Sequence, residues 1–281
     1  MSATAPVNRI LRSSIVDGPG NRAVVFLQGC NFNCVYCHNP ETIALCRACG
    51  ECVAACPAGA LSRDGGGIQW RQERCVRCDA CLKLCPHTSS PRVRRLSPEE
   101  VMAEIEPSIP FIRGITVSGG ECTLYPEFLR RLGELARERP LSFFLDSNGS
   151  YAFSEDPALL AQTDKVMLDV KADPDDPQEY RRVTGNDGAR LSARLDFLAG
   201  AGKLWEIRTV VSPGLFDAAA VVDKLCRRIA GADPPVQYKL IRYRPIGVRP
   251  EAAAALLQPG EDMMNALERI CAGHGVKAVV V

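Results

Sequence analysis

The cysteines are the residues of this sequence whose types and spacing most clearly indicate chemistry. Eleven of the 14 cysteines fall into three short groups. In chain order the groups are Cys30, Cys34 and Cys37; Cys46, Cys49, Cys52 and Cys56; and Cys75, Cys78, Cys81 and Cys85. The second and third groups share the spacing C-x2-C-x2-C-x3-C-P, which is typical of ferredoxins that bind two [4Fe–4S] clusters. The spacing predicts iron–sulfur clusters in preference to disulfides, a zinc site or inert buried thiols.

The first group differs from the others because it has three cysteines, so a cubane held there keeps one iron without a protein ligand. An open metal position of this kind is where reactions occur. The remaining cysteines, Cys122, Cys226 and Cys271, stand alone among apolar or helix-forming neighbours. We expect these three to be inert core residues.

Residues 45–90 are expected to form an inserted ferredoxin-type domain that interrupts a larger domain made of residues 1–44 and 91–281. The segment has two Cys-Pro turns and three consecutive glycines, and it has few residues that could form a core. Metal coordination must therefore supply its folding energy. Ferredoxin spacing predicts two ligand sets, Cys46, Cys49, Cys52 and Cys85 for one cubane and Cys75, Cys78, Cys81 and Cys56 for the other.

Composition is that of an intracellular enzyme. The 281 residues include 34 basic and 33 acidic ones, for a net charge of +1, and 46% are hydrophobic. This balance gives no indication of nucleic-acid or anionic-membrane binding. We expect no export signal and no membrane span, because no apolar run is long enough. Unpaired thiols that bind clusters need a reducing compartment, which predicts a cytoplasmic location.

Short apolar strands alternate with amphipathic helical stretches, as in a parallel α/β fold. The predicted strands are Ala23–Gln28, Gly114–Ser118, Leu141–Asp146, Lys165–Val170, Trp205–Val211 and Val236–Arg242. Helices are predicted at Pro98–Glu106, which opens with a capping box, and at Glu127–Glu138. A last run, Val276–Val281, is either an edge strand or a closing segment. The six units predict a partial (β/α)6 barrel of the TIM type, with the small two-cluster domain inserted.

Polar or reactive residues follow each predicted strand. The segments are 28–30, 118–121, 146–149, 169–171, 208–214 and 242–244. Any one of them would normally be a turn or a solvated charge. Because barrels build their active sites at the C-terminal ends of strands, six such segments in register predict one common site.

These residues carry a resemblance to a known family. Segment 30–37, CNFNCVYC, resembles the CxxxCxxC signature of radical S-adenosylmethionine (SAM) enzymes, and segment 16–22, VDGPGNR, resembles the opening of glycyl radical enzyme activating enzymes. Segments 117–121, 146–149, 167–171 and 208–214 match that family in order, so the resemblance spans the chain. The two-cluster insert makes it most similar to the YjjW-type activases.

The resemblance implies roles for individual residues. The three cysteines of the first group, Cys30, Cys34 and Cys37, would bind the catalytic cluster, and the implied SAM contacts are Tyr36, Cys37, His38, Gly119, Gly120, Glu121, Asp169, Val170, Lys171, Arg208 and Arg244. Glu121 would support the SAM amino group or else buttress its strand. Asp146, Ser147, Met167 and Asp169 are the implied ligands of a monovalent cation, Na⁺ or K⁺. Asp17 would contact the substrate loop or else be a simple turn residue.

The implied function is that of a SAM-dependent activase. It would use three [4Fe–4S] clusters, take electrons from an external donor such as flavodoxin or ferredoxin, and place a radical on a backbone glycine of a partner glycyl radical enzyme. Two alternatives remain open. One is a radical SAM enzyme that acts on a small molecule, and the other is an electron-transfer iron–sulfur protein without catalysis.

Overall fold

The structure is a computed structural model, and it describes residues 3–281. Its strands are β1 (Ala5–Ser14), β2 (Arg22–Leu27), β3 (Leu61–Asp64), β4 (Gly67–Trp70), β5 (Arg94–Leu96), β6 (Gly114–Gly119), β7 (Ser142–Ser147), β8 (Lys165–Asp169), β9 (Leu204–Val211), β10 (Gln237–Arg242) and β11 (Ala278–Val280). Its α-helices are α1 (Glu51–Ala54), α2 (Ala80–Lys83), α3 (Pro98–Ile105), α4 (Pro126–Arg137), α5 (Pro157–Gln162), α6 (Pro177–Thr184), α7 (Leu191–Gly200), α8 (Ala218–Ile229), α9 (Pro250–Ala255) and α10 (Glu261–Gly273).

One mixed sheet dominates the fold, with the strand order β11-β10-β9-β8-β7-β6-β2-β1-β5. Strand β2 and strands β6 to β11 are parallel to one another. Strand β1 runs antiparallel to β2, and β5 runs antiparallel to β1. All six predicted strands are present, with ends that differ by at most one residue. The final apolar run forms β11, a parallel edge strand beside β10.

Strands β1 and β5 were not predicted from the sequence. Only the first residues of β1 are buried, and exposed arginines at Arg9 and Arg12 interrupt its alternation. Its extended form is stabilised by pairing with β2 on one side and β5 on the other. The turn at 17–20 therefore joins two antiparallel strands.

Helices pack on one face of the sheet and bury its apolar residues, including Val117, Leu145 and Leu168. Helix α3 begins with the predicted capping box, in which Ser97 and Glu100 bond each other's backbone amides. In helix α4 the buried positions are Phe128, Leu129, Leu132 and their neighbours, at helical spacing. The predicted boundaries of both helices agree with the structure within about one residue.

The other face of the sheet carries polar side chains, beginning with Arg22 in β2. Its buried guanidinium donates to Thr116 Oγ1 at 2.8 Å and to Ser142 Oγ at 2.9 Å, and it lies 4.1 Å from the ring centre of Phe144. Burial lowers the pKa of Arg22 to about 10. Gly18, at φ +119°, packs against this side chain, and a Cβ there would lie 2.9 Å from Arg22 Cδ. The glycine and arginine of the VDGPGNR segment thus support the fold itself.

Residues 45–90 lie outside the main sheet as short helices α1 and α2 and the β3–β4 hairpin. We call residues 45–90 the cysteine-rich segment. Its buried apolar residues are Cys52, Ala60 and Leu61. Three such side chains bury too little apolar surface to fold a segment of this length.

The three cysteines outside the groups are buried, as expected. Cys226 in α8 and Cys271 in α10 are not isolated in space, because their sulfur atoms lie 3.5 Å apart. No helix within residues 3–281 is long and apolar enough to cross a membrane.

Candidate active site

The loop that carries Cys30, Cys34 and Cys37 follows β2 and is held by backbone bonds on both sides. The amide of Cys30 donates to the carbonyl of Ile43 at 2.9 Å, and the amide of Val35 donates to that of Val183, in α6, at 2.9 Å. Phe32 and Tyr36 bury their rings beneath the loop. Hydrogen bonds and buried rings therefore tie the loop to the segments on both sides of it.

The three thiols of this loop are largely buried, and burial raises the pKa of Cys30 to about 12 and that of Cys34 to about 11. Burial also raises the pKa of Cys37. The positive charge of Lys171 opposes the shift at all three. Thiols in this environment become thiolates only when a metal displaces their protons.

The donor set of the loop fits a cluster better than a single ion. Within residues 3–281, no three His, Cys, Asp or Glu side chains lie close enough together to hold one metal ion. A cubane is larger than an ion, so its thiolate ligands stand farther apart. Three soft thiolates without a fourth protein ligand are the donors that an iron–sulfur cluster with an open iron requires.

Gly119 and Gly120 lie at the C-terminal end of β6, against the start of the cysteine loop. A Cβ on Gly119 would lie 2.2 Å from the carbonyl oxygen of Leu27, and one on Gly120 would lie 2.1 Å from that of Gly29. The amide of Gly120 also donates a hydrogen bond to the carbonyl of Leu27, at 2.9 Å. Close packing of two backbones thus requires both glycines, whether or not SAM approaches them.

Glu121 is fully buried and joins the ends of β6 and β7. Its carboxylate accepts hydrogen bonds from Thr123, from Ser147 Oγ at 3.0 Å and from Asn148 N at 2.7 Å. Burial raises its pKa, and these donors oppose the rise. The contacts agree with the buttressing alternative, in which Glu121 supports the strand ends.

A charged group lies at the middle of the polar face of the sheet. Arg208 on β9 donates to Asp146 at 2.8 Å, to Met167 Sδ at 2.8 Å and to buried Glu206. Ser118 Oγ also donates to Asp146, at 2.9 Å. The two buried carboxylates hold the pKa of Arg208 above its usual value despite burial.

The structure brings only some of the predicted cation ligands together. Asp146 and Asp169 are close enough that Asp169 contributes to a raised pKa of Asp146, of which burial is the main cause. The hydroxyl of Ser147 points instead to Glu121. The ligand implied at Met167 is its backbone carbonyl, so the contact of its side chain with Arg208 does not bear on it. The predicted monovalent-cation site stays a prediction.

Lys171 and Asp169 lie next to the cysteine loop at the end of β8. Lys171 Nζ is 2.8 Å from Asp169 Oδ2, and Tyr36 Oη donates to the carbonyl of Lys171 at 3.3 Å. Burial disfavours the charge on Lys171, but Asp169 and Cys34 outweigh it and keep the pKa well above normal. The backbone of Val170 is fixed too, since its carbonyl accepts from Thr209 Oγ1 at 2.8 Å.

The segment after β10 crosses onto the cysteine loop. His38 Nε2 lies 2.9 Å from the carbonyl of Arg244, and the backbone of Gly247 packs against that of His38. The Arg244 side chain is exposed. Sequence reasoning missed Arg249, which donates to the Cys34 carbonyl at 2.7 Å and to Asn33. No motif surrounds Arg249, so only the tertiary contact identifies it.

Asp17 lies in the turn between β1 and β2, over the polar face of the sheet. Its carbonyl accepts from Thr116 Oγ1 at 2.7 Å, and its carboxylate accepts from Ser14 Oγ. These bonds fix the turn on β6. They leave one carboxylate oxygen of Asp17 without a hydrogen bond from the described residues.

The cysteine-rich segment contains two cavities, each lined by four cysteines of one predicted ligand set. The lining cysteines are Cys56, Cys75, Cys78 and Cys81 in one cavity, and Cys46, Cys49, Cys52 and Cys85, with Cys81 at the edge, in the other. Backbone amides already face sulfur atoms, for example Ala60 N to Cys56 Sγ at 3.2 Å. Amide donors of this kind stabilise thiolates that bind a cluster.

Comparison with protein-family models adds independent information to this geometry. Residues 24–224, more than half of the chain, match the model of the radical SAM superfamily. The chain belongs to the radical SAM superfamily. Membership implies a [4Fe–4S] cluster and SAM, for which the three thiols of the β2 loop are the fitting donors.

Curated relatives of this radical SAM chain extend over most of its length. A putative glycyl-radical enzyme activating enzyme of Haemophilus influenzae is 29% identical, over 98% of this chain and 95% of the relative. The benzylsuccinate synthase activating enzyme of Thauera aromatica is 30% identical, over 77% of this chain and 71% of the relative. The resemblance to glycyl radical enzyme activating enzymes is confirmed.

A solved structure is similar in fold. The crystal structure of QueE from Escherichia coli matches with a TM-score of 0.54 at 14% identity, covering 99% of this chain and 94% of that one. At this identity the likeness concerns the fold alone. It confirms an α/β radical SAM fold with a mixed, mainly parallel sheet.

Proposed function

We propose that this chain is an activating enzyme that uses SAM to place a radical on a backbone glycine of a partner glycyl radical enzyme. The observation that carries the proposal is the rigid loop of Cys30, Cys34 and Cys37 beside the charged pair Lys171 and Asp169. Its relatives named as activating enzymes, which align over most of the chain, support the same activity.

Cys30, Cys34 and Cys37 would hold the cluster, which would supply the electron for reductive cleavage of SAM and so the chemistry that takes a hydrogen atom from glycine. The residues of this chain bind SAM and orient it. Lys171 and Arg208 offer positive charge to the SAM carboxylate, and Asp169 offers an acceptor to its ribose. The other SAM contacts implied by the resemblance, from Tyr36 to Arg244, are proposed on the same ground.

The buried polar face of the sheet suits radical chemistry, because ionic contacts there are already made. Arg208 pairs with Asp146 and Glu206, Lys239 also pairs with Glu206, and Glu121 accepts hydrogen bonds from several donors. Such a site positions a reactive intermediate without a proton transfer from the protein. We therefore assign this chain no acid or base catalyst.

We further propose a partial (β/α)6 barrel made of residues 1–44 and 91–281, with a two-cluster ferredoxin domain at 45–90. The two cavities lined by four cysteines each, and the scarcity of buried apolar residues there, support this division. Three [4Fe–4S] clusters per chain follow. Their oxygen sensitivity and the unpaired thiols suit a reducing, cytoplasmic compartment.

The proposed partners are a glycyl radical enzyme as protein substrate and a flavodoxin or ferredoxin as electron donor. Asp17 is the proposed contact for the substrate loop, since its carboxylate retains an acceptor on the polar face. A peptide loop entering there would lie over the same strands that carry the charged network.

The deciding experiment is an anaerobic reaction of the reconstituted chain with SAM, a chemical reductant and the glycyl radical protein encoded beside its gene. We expect the electron paramagnetic resonance (EPR) signal of a glycyl radical, together with 5′-deoxyadenosine. Cys34→Ala should produce neither product. SAM cleavage stimulated by a metabolite, without a glycyl signal from any candidate partner, would contradict the proposal.

Asp17→Ala serves as the matched variant for substrate contact. It should leave SAM cleavage in the absence of partner unchanged and lower the yield of glycyl radical, because Asp17 lies away from the cysteine loop. An unchanged radical yield per 5′-deoxyadenosine would make Asp17 a turn residue only.

A further inference from the structure

The two cysteine cavities of the cysteine-rich segment differ in the side chains that face their sulfur atoms. The cavity of Cys56, Cys75, Cys78 and Cys81 is also lined by Trp70 and Arg92. Neither residue belongs to a cysteine motif. Both carry N–H groups, which are the donors that cluster sulfur atoms accept.

Trp70 ends strand β4, where it pairs with Leu61 of β3. This register places the indole beside the loop of Cys56, because Arg71 N donates to Ala60 O at 2.8 Å. The indole Nε1 is buried, and it has no partner at full hydrogen-bond geometry among the described residues. It lies in the wall of the cavity that Cys75 also lines. A buried N–H without a partner costs free energy unless an acceptor fills the cavity.

Arg92, two residues before strand β5, lines the same cavity. Its guanidinium lies 2.8 Å from Asp79 and acts electrostatically on Cys75 and Cys81. The side chain of Arg92 is 19% exposed, whereas that of Asp79 is 51% exposed. Asp79 also lines this cavity, but water screens its carboxylate more than it screens the guanidinium of Arg92.

The N–H-bearing side chains of the other cavity are those of Arg47, which is exposed, and His87, which is half-buried. Its sulfur atoms receive backbone donors, Ala48 N to Cys46 Sγ at 3.5 Å and Ser89 N to Cys85 Sγ at 3.5 Å. Its charged lining residues, Arg47 and Glu51, are of opposite sign and exposed. The described residues around this cavity therefore stabilise the extra negative charge of a reduced cluster less than those around the cavity of Cys56.

We propose that Trp70 and Arg92 raise the reduction potential of the cluster at Cys56, Cys75, Cys78 and Cys81 above that of the cluster at Cys46, Cys49, Cys52 and Cys85. Reduction adds one negative charge to a cubane. N–H donors and a nearby cation stabilise the reduced form more than the oxidised form, and so raise the potential. The inference rests on the proposed function only for the presence of the two clusters.

The arrangement has a spatial consequence. His87 lines the cavity of Cys46 and also a second cavity that reaches Cys30. The cavity of the cluster with the lower potential therefore adjoins the space beside the SAM-binding loop.

The test is an anaerobic redox titration followed by EPR on the full-length chain with Cys30, Cys34 and Cys37 changed to serine, which leaves the two clusters of the cysteine-rich segment. We expect two one-electron steps, and Cys78→Ser should alter only the step at higher potential. Trp70→Phe and Arg92→Gln should each shift that step to lower potential, and the double variant should shift it further. Arg92→Lys should restore part of the shift.

Trp205→Phe is the matched control, since Trp205 packs on Phe144 of the main sheet and should change neither step. Iron content is measured for every variant, so that loss of a cluster is not mistaken for a changed potential. Unchanged potentials in both variants, or shifts confined to the step at lower potential, would overturn the inference and leave the activase proposal intact. Failure of the segment to bind about eight irons would overturn the inference and the two-cluster assignment together.

Discussion

Arg249 connects the segment after β10 to the cysteine loop, although its sequence context gives no sign of that role. Its guanidinium donates to the Cys34 carbonyl at 2.7 Å and to Asn33. The cysteines, by contrast, could be predicted because their spacing alone specifies a cluster. Glu121 shows an intermediate case, in which the motif predicts importance and only the contacts separate ligand binding from buttressing.

Arg249→Ala should weaken the cluster at Cys30, Cys34 and Cys37, because the loop loses two charge-assisted hydrogen bonds. Changes in residues that orient metal ligands cost about tenfold or more in metal affinity or activity. The rate at which a chelator removes iron from this site, followed by EPR, measures the effect. Arg269→Ala, on the exposed face of α10, is the control and should match the parent. Equal rates in both variants would contradict the orienting role.

At the scale of elements, the parallel strands were predictable because each is a short apolar run that ends in polar residues. Strands β1 and β5 were not, since their extended form depends on partners distant in sequence. The close approach of β6 to the start of the cysteine loop was also invisible in the sequence. Gly119 and Gly120 are predicted SAM contacts. The structure adds that the absence of a side chain at both positions allows close packing against the backbone of Leu27 and Gly29.

Gly120→Ala should destabilise the chain by about 2 kcal/mol or more, because the new Cβ would meet the carbonyl of Gly29 at 2.1 Å. Gly200→Ala is the control, for which we expect no loss of stability. Gly200 ends α7 with open space around it. Alanine there should be neutral or stabilise by up to about 1 kcal/mol. Anaerobic chemical denaturation measures both, and equal midpoints would refute the packing argument.

The whole molecule combines a sheet that folds by apolar burial with a segment that has almost none. Sequence spacing predicted that division, because the two cysteine groups leave no room for a core. The pairing of distant Cys85 with the group at Cys46 also came from spacing, and the lining of the cavities agrees with it. The side chains that make the two cavities unlike, Trp70 and Arg92, lie outside every motif.

Iron content tests the molecule as a whole. Anaerobic reconstitution should give about 12 irons and as many sulfides per chain, from three cubanes. A plateau near four would leave only the cluster of the β2 loop. Exposure to air should open residues 45–90 to protease before the main sheet, because metal supplies their folding energy. Cleavage that begins in the main sheet would contradict this order.

The cysteine-rich segment departs from and rejoins the main fold at neighbouring points. Ala44 and Ser89 form a parallel bridge, and Ser90 N donates to Glu41 O at 3.0 Å. A short turn between these points would span the gap without displacing β2 or β5. The attachment of the segment thus resembles that of an insertion, whose removal or replacement would leave the shape of the catalytic sheet unchanged.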